Sequence, residues 1–474
     1  MSLTREQLLA LDKDTLVELV LGQSARIGEL EASIATLTQR VAQLEARLNQ
    51  TSKNSSKPPS SDSPFQALTS MTVLNRKQQG RRSGGQPGHE GHGLKKVAHP
   101  HRVEEHLPQA CVHCGCALHQ EPAIATGSFQ VFDVPADIKI EVVEHRRFAR
   151  RCPWCAKQNQ GPLPGWLSER TPCQWGPRCR ALGVYLMHQH HLPYERTQTL
   201  FVDLFGAAPS EGTLFNWQVD AHQALAPVER QIAEALLESE RLGADETPAR
   251  GAGWLHTLVS EHFTWYGGHP KRGRAAMEHF WLLPRYQGLL MSDCLSSYAI
   301  YGAERSLCCA HLLRDLVAVS EQGHFWAQRM IGLLLWLKER VEASGAPLAR
   351  SSLLWLYGWF GRLLSMGHRE NHLRPVDKSL SLLSRLEARR DEYLRFATTA
   401  GAWFDNNLSE RALRMMKLHV KVSGCFRSVL GCRILCRVRG YLSTMKKQGQ
   451  SLLMALQSVM EGKPLLPPLL QHAN

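Results

Sequence analysis

The chain has no apolar run long enough to span a membrane, which takes about 20 predominantly apolar residues. The run Ile331 to Leu337 stops at Lys338. The first residues, Met1-Ser2-Leu3-Thr4-Arg5-Glu6, lack the apolar core of a secretory signal. A cytoplasmic location is expected, and with it reduced thiols. The 13 cysteines therefore point to metal binding sooner than to a disulfide framework. Acid is also in short supply: 43 Asp and Glu stand against 56 Lys and Arg, a formal net charge of +13. That surplus suits a polyanionic partner, most often nucleic acid. Charged residues make up only 21% and hydrophobic ones 43%, which excludes a largely disordered chain. At 474 residues there is room for about three domains.

What is present begins with a heptad. Val20, Ile27, Ile34, Val41 and Leu48 recur every seven residues, and Gln23, Leu30, Leu37 and Leu44 follow three residues after the first four. β-Branched residues at a with Leu at d favour a parallel two-stranded coiled coil. Arg26 with Glu31, and Arg40 with Glu45, suit the g and e positions across such a pair. Residues 1–50 are read as this dimerising segment, and 51–103 as a flexible basic linker. The stretch Asn54 to Asp62 is too rich in Ser and Pro to hold a helix, and Arg76, Lys77, Arg81, Arg82, Lys95 and Lys96 lie among glycines.

Two CxxC knuckles follow, Cys111-Val112-His113-Cys114 and Cys152-Pro153-Trp154-Cys155. Each offers two thiolates to a tetrahedral ion, so 104–165 is expected to be a structural zinc module ligated by Cys111, Cys114, Cys152 and Cys155. His113 and Cys116 are alternates. The alternating stretches 129–134 and 138–143 read as strands of a hairpin between the knuckles. Region 166–235 reads as helical. An amphipathic helix from Tyr194 to Phe205 is broken at Gly206-Ala207-Ala208-Pro209, and Ser210 caps the next. This is either a plain helical hairpin or a DNA-binding helix-turn-helix, in which Thr213, Asn216 and Gln218 would face DNA.

After Gly243 the pattern changes. Leu242-Gly243-Ala244-Asp245-Glu246-Thr247 and Gly288-Leu289-Leu290-Met291-Ser292-Asp293 read as buried strands that carry or end in an acid. Trp254 to Ser260 and Phe263 to Tyr266 read as strands between them. A carboxylate at the end of a buried strand is costly unless it is paired or binds a cation. The polar turn Phe404-Asp405-Asn406 opens a helix on which Glu410, Arg414, Lys417 and Lys421 share one face. A capping box from Asn407 to Glu410, or an ordinary Glu410–Arg414 pair, would account for that helix alone. Together with two acid-bearing strands it makes the arrangement of an RNase H-like two-metal site. Asp245, Asp293 and Glu410 would hold Mg²⁺ (or Mn²⁺) for phosphoryl transfer, with Glu246 a weaker ligand. The long stretch 294–404, rich in Leu and Trp from Leu333 to Trp336 and from Leu353 to Trp359, reads as a helical insertion of packed core.

In this order the motifs resemble the transposases of the insertion sequence 66 family: the zipper, Asn54 to Asp62, the paired knuckles, His191-Leu192-Pro193-Tyr194-Glu195-Arg196, Ala244 to Thr247, Ser292-Asp293, Cys309-Ala310-His311-Leu312-Leu313-Arg314, Asp405 to Arg411 and Tyr441 to Lys447. The resemblance implies a DDE transposase, an α/β protein with an RNase H-like core over 236–425, a helical insertion at about 312–400 and a C-terminal helical region over 426–474. It implies the triad Asp245, Asp293 and Glu410, binding to terminal inverted repeats and target DNA, cleavage, and joining of 3′ ends. Arg411, Arg414, Lys417 and Lys421 would hold DNA, and small accessory proteins of the same element are plausible partners in a bacterial cytoplasm, at the nucleoid. Two other readings use the same features: a non-catalytic dimeric DNA-binding protein, or a nuclease without strand transfer.

Overall fold

The computed structural model describes residues 13–48, 96–120, 122–124, 126–134, 138–373 and 376–471. Most of the expected basic linker, including Asn54 to Asp62, lies outside them. The chain divides into two compact units. One takes in Arg147–Gln198, Pro209–Asn474 and the N-terminal helix, and the other Ser63–Arg146 with Thr199–Ala208.

The N-terminal helix α1 (Lys13–Leu48) is continuous over 36 residues. Its heptad residues Ile27, Leu30, Ile34, Leu37 and Val41 are all exposed in the single chain. In the smaller unit the expected strands over 129–134 and 138–143 are not formed by the described residues. Phe129, Val131 and Val142 are left exposed there. Alternation becomes a strand only where a neighbour supplies hydrogen bonds and a layer covers the apolar face. Neither occurs here, and the sequence expectation is corrected on that ground.

In the larger unit, β1 (Ala149–Arg151) and β2 (Gln158–Gln160) form a short antiparallel ribbon. Helices α2 (Pro177–His188), α3 (Tyr194–Phe205), α4 (Glu211–Ala224) and α5 (Ala226–Leu237) follow, α3 being divided between the two units at Thr199. Ser210 caps α4 as expected, its side chain accepting the Thr213 N–H at 3.1 Å.

The centre of this unit is a five-stranded mixed sheet. Its strands are β3 (Arg241–Ala249), β4 (Gly253–Val259), β5 (Thr264–His269), β6 (Leu289–Ser292) and β7 (Glu304–Leu307). The spatial order is β5-β4-β3-β6-β7. β3, β4 and β5 form an antiparallel meander, while β6 and β7 run parallel to β3. A short helix, α6 (Arg274–Phe280), lies in the connection from β5 to β6.

Six helical segments separate β7 from the last acidic motif: α7 (Cys309–Ser320), α8 (Phe325–Ser344), α9 (Arg350–Leu373), α10 (Asp377–Ala388), α11 (Arg390–Tyr393) and α12 (Arg395–Thr398). They bury a core of their own around Leu316, Trp326, Met330, Leu334, Leu356, Phe360 and Leu383. Trp336, Trp355 and Trp359, expected in that core, stay partly exposed at 44%, 47% and 39%.

The chain then returns to the sheet through α13 (Asn407–Ser423) and α14 (Val429–Lys447), followed by α15 (Leu452–Met460) and α16 (Pro468–Gln471). Leu413 and Met416 of α13 join Leu255 and Tyr266 of the sheet and Cys432, Leu435 and Cys436 of α14 in one apolar cluster. Apolar residues one helical turn apart, with cations on the other face, make α13 amphipathic in the register that lays it on the sheet. Arg439 of α14 is buried beside His188, His191 and His419 and donates to the His188 carbonyl at 3.2 Å and to Gln189.

Candidate active site

Register brings the first two acids together. β3 and β6 pair in parallel, with Gly243 opposite Met291. Two residues further along stand Asp245, within β3, and Asp293, just past the end of β6. Asp245 Oδ1 accepts the Glu246 N–H at 2.8 Å, and Asp293 Oδ1 accepts the Leu295 N–H at 2.9 Å.

Glu410 is brought to this side of the sheet by a close approach of helix to strand. A Cβ on Gly243 would collide with Ser409 Oγ and lie 2.8 Å from Asn406 Oδ1. Only a residue without a side chain lets the first turn of α13 rest on β3 there. Asn406, buried, fixes the contact by donating from Nδ2 to the Ala244 carbonyl at 2.8 Å. Its own N–H meets Cys308 Sγ at 3.3 Å, and the Cys308 N–H donates to the Ser292 carbonyl at 3.0 Å. The Cys309 N–H donates to the Phe404 carbonyl at 3.0 Å. The start of α7, the end of β6 and the start of α13 are thus tied to one another.

The capping box that would account for the helix alone is not formed. Asn406 is the cap residue, without a side-chain cap bond, and the Asn407 N–H is taken by Asp405 Oδ1 at 3.1 Å. With the helix beginning there, Glu410 lies one position beyond the N3 place from which a capping carboxylate reaches back.

The electrostatics set Asp245 apart from the other carboxylates of the site. Burial, followed by the charges of Glu246, Asp293 and Glu410, pushes the Asp245 carboxyl up to about 7. Among the described residues no ion pair reaches Asp245. Glu246, by contrast, is committed: Oε1 accepts Arg272 Nε at 2.8 Å and Oε2 accepts the Tyr298 hydroxyl. It is a second-rank oxygen donor and supports its neighbours, because Arg272 also lies 3.9 Å from Asp293 Oδ2 and over the Trp254 ring. Hard oxygen donors with unneutralised charge fit a divalent cation of the Mg²⁺ or Mn²⁺ type.

Three residues beside Glu410 carried no chemical assignment from sequence. His311 Nδ1 is 3.8 Å and Arg314 3.6 Å from Glu410 Oε1. The ligand atoms of Cys308, His311 and Glu410 lie within 4.8 Å of one another, a group that could hold a metal ion. Burial pushes the Cys308 thiol up to about 11, so at neutral pH it stays protonated in the absence of metal. Burial and the Arg314 guanidinium push the His311 imidazole down. The spacing of His311 and Arg314, one helical turn apart, is the signal from which their shared face was readable.

Arg411, Arg414, Lys417 and Lys421 are exposed along α13. Asn216 is exposed and Thr213 half-buried, its hydroxyl 2.9 Å from Ser210 Oγ. Gln218 corrects the sequence reading. It is buried, donating to the Tyr194 hydroxyl at 2.9 Å and facing His188 Nε2 at 3.1 Å. The partners that turn it inward come from elsewhere in the chain and are invisible to helix phase.

The two CxxC segments share one local geometry. The Cys111 N–H donates to the Cys116 carbonyl and the Gly115 N–H to the Cys111 carbonyl, both at 2.8 Å. The Cys152 N–H donates to the Lys157 carbonyl at 2.8 Å and the Ala156 N–H to the Cys152 carbonyl at 3.0 Å. Gly115 and Ala156 occupy the same left-handed position, φ 75° and 54°. In each knuckle backbone N–H groups and the second cysteine lower the first thiol.

Fold and site together define a mixed α/β protein with an acidic centre flanked by cations. Residues 172–434, which contain Asp245, Asp293 and Glu410, match the model of the Transposase IS66 family. The chain belongs to that family. Residues 9–95 match a second model, described as a family of unknown function (DUF6444). No curated protein matches the chain. No helix among the described residues is long and apolar enough to cross a membrane.

Proposed function

We propose that this transposase is of the DDE type: it binds the terminal inverted repeats of its element, cleaves the DNA ends and joins the 3′ ends to target DNA. The observation that supports the reading is that Asp245 and Asp293 come from neighbouring parallel strands and Glu410 from the helix seated on Gly243, near enough for the charges of Asp293 and Glu410 to raise the Asp245 carboxyl. The sheet order, an antiparallel meander extended by two parallel strands, supports reading the core as RNase H-like. Divalent cations held by Asp245, Asp293 and Glu410 supply, when bound, charge neutralisation at the phosphate and activation of the attacking oxygen.

The chain's own residues position and insulate that centre. Glu246, pinned by Arg272 and Tyr298, steadies the Asp293 side of the site. Arg314 offsets the charge of Glu410. The exposed cations Arg411, Arg414, Lys417 and Lys421 are placed to hold phosphates along the helix that carries Glu410. The local turn shared by the two CxxC segments supports reading each as a thiolate pair for zinc, and the exposed heptad of α1 supports pairing with a second copy of the chain.

Cleavage and strand transfer with Mg²⁺, on DNA bearing the flanking inverted repeats, tests the reading. Asp245→Asn, Asp293→Asn and Glu410→Gln should each lower both reactions by at least about 100-fold, a scale set by lost transition-state stabilisation, while end binding persists. Near-normal turnover in any one of them would remove that residue from the site. Cleavage without joining would favour a nuclease, and binding without cleavage a non-catalytic relative.

A further inference from the structure

The helical insertion carries an aromatic array on its solvent side. Trp336 of α8 and Trp355 of α9 have ring centroids 5.3 Å apart, and Trp355 and Trp359 are 6.1 Å apart. The rings are tilted, at 58° and 55°, and do not lie flat on one another. A guanidinium closes each end: Arg340 lies over Trp336 at 5.8 Å and Arg362 over Trp359 at 5.6 Å. The order in space is therefore Arg, Trp, Trp, Trp, Arg. All three rings are between 39% and 47% exposed.

This arrangement is not what core packing requires. The insertion's own core is complete on the opposite faces, through Leu334, Leu337, Leu356 and Phe360. Large exposed aromatics grouped together mark a binding surface. The charge around them says of what kind. Arg329 lies two helical turns before Trp336 on the same face and is exposed. α9 carries no acid before Glu370. On the two helices Glu339 is the one carboxylate within a turn of the rings, and it is matched by the adjacent Arg340.

We infer that this array stacks unpaired DNA bases, with Arg329, Arg340 and Arg362 holding the phosphates on either side. The inference rests on the transposase reading above and adds to it a site for single-stranded or opened DNA at the element ends. Partly exposed rings suit bases that have left the helical stack, because in an intact duplex base faces are covered by their neighbours. Aromatic platforms combined with cations are the general means of holding single strands. Guanidinium groups over the end rings add cation–π attraction while keeping their N–H donors free for phosphate.

The test uses the full chain and two DNA probes of one sequence, a blunt duplex and a fork whose unpaired arm carries 2-aminopurine, a base whose emission is quenched on stacking. The parent protein should bind the fork more tightly than the duplex and quench the probe. The triple variant Trp336→Ala, Trp355→Ala, Trp359→Ala should lose about tenfold or more in fork affinity, as expected for at least one lost base stack. Its duplex affinity should stay within about twofold, because phosphate contacts elsewhere are intact. Trp355→Ala alone should lose part of the quench, and it decides the matter if the triple variant does not fold. Unchanged fork affinity and quench in both variants would overturn the inference, as would a loss that appears only as a fall in sedimenting mass, which would make the array a self-association surface. Duplex binding with no preference for the fork sinks this inference alone. Failure to bind either probe sinks the transposase reading, and this inference with it.

Discussion

At the scale of single residues, burial decides which charges the protein can tolerate. His188 is held down to about 3, and His191 and His419 to about 4, by burial first and by the neighbouring Arg439 and one another second. The buried guanidinium of Arg439 has no carboxylate partner among the described residues, so a proton on any of these rings would add like charge to like. The unfolded chain takes up protons near pH 6.5, where the folded chain does not. This contribution is therefore fully present above about pH 6.5 and is lost as the pH falls towards 4, with a slope of up to about 1.4 kcal/mol per pH unit for each histidine. Denaturant titrations at pH 7.5 and 5 should show the loss, and His191→Asn or His419→Phe should flatten it. An identical pH slope in parent and variants would mean that these rings are not linked to folding. The sequence offered His191 only as part of a family motif. Its neighbour Arg439 is far away in sequence, and that distance hid the cluster.

At the scale of elements, α13 was the most legible part of the chain, and its seat the least. The spacing of Leu413 and Met416 against Arg414, Lys417 and Lys421 gave its buried and solvent faces. The sheet strands at 241–249, 253–259, 264–269 and 289–292 were readable because buried strands leave short apolar runs between turns. What could not be read was how α13 meets β3, which depends on the missing side chain at Gly243. Gly243→Ala should push the first turn of α13 off the strand. The expected cost is about 1–3 kcal/mol in stability, as for other overpacked sites, and about 10–100-fold in cleavage, as for a misplaced catalytic group. Paired melting and cleavage assays check it, and a variant with normal cleavage would show that Glu410 does not depend on this contact. The strands expected at 129–134 and 138–143 failed for the complementary reason: alternation states a preference, and no covering layer met it. Gln218 lay on a helix whose phase was right but whose neighbours, His188 and Tyr194, drew it inwards.

For the whole molecule, the modules should be separable in their chemistry. The heptad side chains of α1 are exposed in one chain, so a second copy is the natural cover for them. Ile27→Asp with Ile34→Asp should lower the sedimenting mass towards that of a single chain and leave bound zinc unchanged. Cys111→Ser and Cys152→Ser should each lower the zinc content and leave the sedimenting mass unchanged. Sedimentation and metal analysis on the same preparations check both arms. A zipper variant that keeps its full mass would place self-association elsewhere.

By itself the sequence determined the heptad spacing, the CxxC pairs, the family and the positions of the acidic motifs, because each is a local pattern of residue type and spacing. Only the tertiary structure decided which side chains surround those acids, that Glu246 is bound to Arg272 and Tyr298, that His311 and Arg314 flank Glu410, and that three tryptophans of the insertion face outwards. The physical reason is the same throughout. Helix and strand periodicity fix which way a residue points from its own backbone, while burial, charge neighbours and close approach depend on chain segments brought from far away.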